Sequence, residues 1–199
     1  MATTYTTLLA EVASYLARSD LTSIIPTFVQ LGQARINRDV RCREMETKNA
    51  SFSITGEYVN VPSDFLEAKH FQIPGSPALT RMSAEELDTY ISGGEPKGFE
   101  VVGSQFRFKP APGTAITATL VYYAKPATLV TTSAETNTLF PTVAPDLYLY
   151  ASLLEAESFI QDDPRLPVWK AAYAEGVANL NAAAKRAAAF GGSMATRAE

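Results

Sequence analysis

The sequence holds one cysteine, one histidine and one tryptophan among 199 residues, and each scarcity removes a class of chemistry. A lone Cys42 can form neither an intramolecular disulfide nor a thiolate zinc site, so the fold must rest on packing. A lone His70, in "EAKHFQI", excludes motifs that need paired imidazoles. GxxxxGK[ST], GxGxxG, HExxH and GxSxG are all missing, which takes away phosphate cradles, the zinc helix and the nucleophile elbow. Positive charge is also short: 17 Lys and Arg against 21 Asp and Glu leave a net charge of −4 and a pI near 5.1. A protein that coats nucleic acid needs the opposite balance to displace counterions. No stretch approaches the ~18 apolar residues of a membrane span, and "MATTYTTLLAEVASYLARSD" lacks the basic-then-apolar form of a signal peptide. Together these absences predict a soluble protein, made in the cytoplasm, that is not an enzyme and uses no cofactor or metal.

A hydrophobic content of 46% with 19% charge is ordinary for a chain that buries one good core. Tyr5, Leu8, Leu9, Val12, Ala13 and Leu16 recur at helical spacing behind Thr3 or Thr4, which predicts an amphipathic helix. A longer one follows, with Ser23 to cap it, Pro26 in its first turn and a stripe of Ile25, Phe28, Val29, Gly32, Ile36 and Val40. From about residue 48 the period changes to two. "ASFSITGEYVNVP" predicts a hairpin, "LEAKHFQI" a strand, and "FEVVGSQFRFKPAPG" a second hairpin about Gly103 and Ser104. "AITATLVYYAKP" places Ile116, Ala118, Leu120 and Tyr122 on one face, and "SAEELDTYI" carries a capping box of Ser83 and Glu86. "APDLYLYASLLEAESFIQ" is apolar all round and predicts a buried helix. A last helix from Pro164 to about Ala189 presents Trp169, Ala172, Tyr173, Gly176, Val177, Leu180, Ala184 and Ala187 and stops at Gly191 and Gly192.

These elements predict an α+β fold: a four-helix bundle made from both chain ends, with an inserted antiparallel β-sheet segment. The boundaries are an N-terminal helical hairpin at 1–47, the β-rich insert at 48–125, an extended arm or loop at 126–143, a C-terminal helical hairpin at 144–189 and a flexible tail at 190–199.

Two charged features invite a functional reading. Asp162 and Asp163 stand before Pro164, where a carboxylate can cap free amides and proline has a helical φ already, so the pair predicts a helix joint rather than a metal or acid/base site. Arg35, Arg38 and Arg41 recur at i, i+3 and i+6, with Arg43 following. They form either a solvated face laced by Arg35–Asp39 and Asp39–Arg43 pairs or a ridge that meets an acidic neighbour, where the guanidinium fork orients carboxylates.

The blocks "YTTLLAEVASYLARSDLTSIIPTFVQLGQARINRDVRCREMET", "YVNVPSDFLEAK", "FRFKPAPGTAITATLVYYAKP" and "APDLYLYASLLEAESFIQDDPRLPVWKAAYAEGVANLNA" together resemble the head-to-tail adaptor (connector) proteins of tailed bacteriophages, over residues 3 to about 185. The resemblance implies a structural virion protein at the head-to-tail junction. It implies a ring, usually of twelve copies, under the portal protein, which extends the DNA channel and offers a platform to a tail or stopper protein. Genomic DNA would pass without sequence-specific binding. It also implies that the C-terminal segment reaches the portal, with Phe190, Met194 and Arg197 as contacts, while Arg35, Arg38, Arg41 and Arg43 are candidates for the subunit interface. The competing readings are another connector component, a stopper or tail-completion protein, and a DNA-binding regulatory module that uses the arginine helix.

Overall fold

The structure is a computed structural model that describes residues 4–18, 20–90, 93–130, 137–160 and 163–190, the side chains of 188–190 excepted. The chain divides into two compact units: 1–45 with 126–199, and 46–125.

The helical unit contains α1 (Tyr5–Leu16), α2 (Ile25–Asp39), α4 (Pro145–Glu155) and α5 (Leu166–Phe190). In α1 the buried side chains are Tyr5, Leu8, Val12 and Leu16, and Thr4 and Thr7 close a reciprocal cap at the N-terminus. The whole predicted stripe of α2 is buried through Val40. Ser23 does not cap it: Ile24 is the N-cap residue, with no side-chain bond, and Pro26 sits in the first turn. Seven of the eleven residues of α4 are buried, from Leu147 to Leu154 with only Tyr150 partly open. α4 is therefore the centre on which α1, α2 and α5 pack. Its contact with α2 is close because Gly32 has no side chain: a Cβ there would lie 2.9 Å from the Ser152 nitrogen and 3.0 Å from the Ala151 carbonyl carbon.

The sheet unit contains β1 (Glu46–Ile54), β2 (Tyr58–Asn60), β3 (Phe65–Gln72), β4 (Ala78–Arg81), β5 (Gly98–Val102), β6 (Gln105–Lys109) and β7 (Ile116–Ala124), with the short helix α3 (Ala84–Asp88) capped by Ser83 and Glu86 as its sequence predicts. The strand order is β1-β7-β3-β4-β5-β6-β2, antiparallel except for the parallel pair β4–β5. β1 and β2 do not pair with each other, contrary to the predicted hairpin. They are the two edges of the sheet, joined by residues 55–57 alone. That short link requires the sheet to curl until its edges approach.

Curvature comes from extra residues: β1 carries one against β7 between Asn49 and Phe52, and β3 carries two, between Phe65 and Glu67 and between Ala68 and His70. The result is an aromatic core. Phe71 touches Phe52, Phe99, Phe106 and Phe108, and Phe52 on β1 meets Phe106 on β6 at 5.7 Å across the interior. Arg107 fastens the outside, donating to Glu57 at 2.9 Å and to Asp88 of α3.

This architecture corrects the predicted four-helix bundle with a small inserted sheet. The molecule is an α+β protein with five α-helices among the described residues and one curled, mixed seven-stranded sheet. A bundle needs four helices of similar length. α4 stops after 11 residues, passing into a 3-10 turn at Glu157–Phe159, whereas α5 runs for 25. At 1.5 Å per residue α5 is more than twice as long as the helix it packs on. Its burial fades accordingly: Trp169 and Tyr173 are 4% and 6% exposed, Val177, Leu180 and Ala184 are half-buried, and Ala187 is open.

Candidate functional site

The C-terminal end of α2 gathers the predicted arginines, and the fold gives them different roles. Arg35 turns to α4, where its guanidinium meets Glu155 Oε1 at 2.6–2.7 Å, rather than pairing with Asp39 along its own helix. Asp39 is taken by Tyr173, whose hydroxyl donates to Asp39 Oδ2 at 2.8 Å; burial pushes that phenol up. Arg41 folds back on α2, and its Nη1 donates to the carbonyls of Asn37 and Val40 at 2.8 and 2.6 Å. That places a cation on the negative end of the helix dipole. The backbone N–H of Arg41 donates to Asn181 Oδ1, and Asn181 Nδ2 donates to the Asp39 carbonyl, so α5 seals the end of α2. Arg38 and Arg43 remain exposed, and among the described residues no carboxylate pairs with either. Of four predicted interface arginines, the fold uses two internally and presents two.

The joint before α5 is built differently from its prediction. α5 starts at Leu166, with Pro167 in its first turn, so Pro164 is not a helical residue. Asp163 accepts from the Arg165 backbone N–H at 2.9 Å and from the Arg165 guanidinium at 2.6 Å, and this pairing holds its carboxyl below the usual range. Arg165 also donates to the Tyr15 carbonyl at 2.7 Å and covers Trp169 at 5.0 Å, tying α1 to α5. Asp162 lies outside the described residues, as do Met194 and Arg197. Phe190 is the last residue of α5.

Two buried amides escaped the sequence reading. Gln33, 4% exposed, donates to the carbonyls of Pro126 and Ala127 and accepts from the Leu129 N–H. Asn137, 5% exposed, donates to the same Ala127 carbonyl and accepts from the N–H groups of Leu139 and Phe140 and from the Tyr148 hydroxyl. Between them they fasten both ends of the connection predicted as an extended arm or loop to its own helical unit, while residues 131–136 lie outside the described residues. A signal existed for one of them: Gln33 interrupts the apolar spacing of Val29, Ile36 and Val40, and a polar residue on a buried stripe needs internal partners.

Elsewhere the candidate chemistry is quiet. Cys42 is buried, and that burial, with Glu44 beside it, pushes its thiol up to about 11. His70 is exposed on β3. Among the described residues no three His, Cys, Asp or Glu side chains gather as a metal site, and no helix is long and apolar enough to cross a membrane.

These features define an α+β protein of two units in which most of the described ion pairs and buried amides serve internal fastening. The family model described as SU10 adaptor protein matches residues 3–197, and the chain belongs to this family of structural phage adaptors. No curated protein matches the chain.

Proposed function

We propose that this chain is a non-enzymatic head-to-tail adaptor whose copies assemble as a ring, of twelve, beneath the portal protein, extending the DNA channel and presenting a platform to the tail or stopper. The observation that carries this reading is the family match over nearly the whole chain. The charge supports it, because an acidic protein can line a passage for DNA without gripping phosphates. In a ring, each copy meets its neighbour through two different faces. Arg38 and Arg43, exposed and without carboxylate partners among the described residues, are suited to one of them. Arg35 and Arg41 support that face from within. The segment 190–199, with Phe190, Met194 and Arg197, is the portal contact in this reading.

The test is mass analysis by light scattering of the purified protein, alone and mixed with the portal protein of the same genome, beside a version truncated after Ala189 and an Arg38→Glu/Arg43→Glu variant. A ring-sized complex is expected for the wild type, loss of portal association for the truncation, and loss of the ring with a normally folded subunit for the double variant. Rings from the double variant would remove the arginines from the interface. Failure of the wild type and the truncation alike to associate with portal would point to a stopper or tail-completion protein instead.

A further inference from the structure

We propose that copies of this chain meet through opposite charges, a basic end of the helical unit receiving an acidic face on the sheet unit of the next copy. The inference rests on the ring reading above and adds to it the second face, together with two cations that lie far from α2 in sequence.

The basic end is assembled by two helices. Asn181 of α5 holds the end of α2, accepting from the Arg41 N–H and donating to the Asp39 carbonyl. Lys185 follows Asn181 by one helical turn, about 6 Å along the axis, and Arg186 comes next. Both are exposed, as are Arg38 and Arg43, and among the described residues no carboxylate pairs with any of the four. The acids nearest to Arg38 and Arg43 in sequence are engaged: Asp39 accepts from Tyr173, and Glu44 lies beside Cys42. Without these four cations the chain holds 13 Lys and Arg against 21 Asp and Glu. Positive charge is gathered at this end, and a second copy offers mainly negative surface to it.

The acidic face is built on α3 and β5. Residues 82–104 carry five carboxylates and one cation, Lys97, which covers Tyr90. The next cations along the chain, Arg107 and Lys109, both turn to Glu57, and Arg107 also reaches Asp88. Glu100 stands opposite Arg107 in the β5–β6 pair, with no ion pair of its own among the described residues. Glu85, three residues before Asp88 and on the same side of α3, is exposed and equally unanswered.

A ring joins unlike faces of identical subunits. This chain carries two such faces, of opposite sign and each short of internal partners. Like faces repel, so a two-fold pair is disfavoured and copies add head to tail. Each exposed ion pair adds little affinity; the charges decide which faces meet and in what order.

The experiment is light scattering of full-length variants mixed with the portal protein of the same genome. Lys185→Glu/Arg186→Glu reverses the basic end, and Glu85→Lys/Glu100→Lys reverses the acidic face. Each variant alone is expected to lose the ring-sized mass that the wild type gives, while melting as the wild type does. An equimolar mixture of the two is expected to regain it, because in alternating order every reversed face meets a reversed face and every native face a native one. The inference is overturned if either variant forms rings alone, or if the mixture stays unassembled; rings from the wild type would then leave the adaptor reading standing. Absence of rings from the wild type itself would overturn both. Duplex DNA retained by the wild type and lost by Lys185→Glu/Arg186→Glu, with rings intact, would hand these cations to nucleic acid and overturn the inference too.

Discussion

Replacing Gly32 by alanine decides whether α2 and α4 are as closely set as described. In an open helix the change stabilises by about 1 kcal/mol, because alanine loses less conformational freedom on folding. Here the new methyl would stand 2.9 Å from the Ser152 nitrogen and 3.1 Å from the Ala151 Cβ, where ordinary contact begins near 3.4 Å. The obstacle is mainly backbone, so it cannot swing aside, and the helices must part by about half an ångström. Overpacking of this kind costs about 1–3 kcal/mol, and the rigid obstacle places Gly32 in the upper half of that range. After the helical gain is subtracted, a loss of about 1–2 kcal/mol is expected, or a fall of roughly 3–8 °C in Tm. Trp169 is the sole tryptophan and is buried in the helical unit, so its fluorescence on heating reports the unit concerned. Gly176→Ala is the control: its methyl would meet only Leu147 Cδ1, at 3.0 Å, the end of a side chain that can rotate, and the variant should be neutral or slightly stabilised. A higher Tm for Gly32→Ala would refute the close crossing.

Gln33→Leu should cost about 3 kcal/mol, because it strands the Leu129 amide and two carbonyls in a buried place; hydrogen exchange at Leu129 would quicken before the rest of the unit opens. Arg107→Met should cost only about 1 kcal/mol, since part of its network is open to solvent. Its mark is the pH dependence. Arg107 holds the Glu57 carboxyl below its ordinary value, so that contribution is full above the unfolded pKa, near 4.3, and is lost as pH falls through the lower folded value. The variant should therefore show a shallower loss of stability between about pH 5 and 3, read from urea midpoints by circular dichroism. Cys42 should resist a thiol reagent at pH 8 and react only after the helical unit unfolds; a fast reaction in the native protein would contradict its burial.

Local patterns announced α1, the stripe of α2, the box that starts α3 and the alternating faces of β7, because spacing and capping chemistry are written in neighbouring residues. What escaped depended on partners far along the chain. "ASFSITGEYVNVP" carries every sign of a hairpin, yet residues that turn a chain do not say whether the strands on either side pair with each other or with others. β7 takes one and β6 the other, and the bulges in β3 that make this possible leave no compositional trace. The early end of α4 was hidden because Ala156 and Ile160 continue the apolar spacing into the 3-10 turn. Arg35 was legible as a cation but not as the partner of Glu155, 120 residues away. The two exposed arginines could not be told from the two committed ones by spacing, since all four share one helix end.

The pairing of β1 with β7, where Glu46 stands opposite Tyr123, has a consequence for inheritance. The chain enters the sheet unit at Glu46 and leaves it two residues past Tyr123, at Lys125, so it enters and leaves on neighbouring strands at the same end of the sheet. Seen from the helical unit, eighty residues occupy a gap that a single short turn could bridge. Such an inserted piece can be lengthened, shortened or replaced by recombination without altering how the helices are connected, so that the two units can change independently of each other.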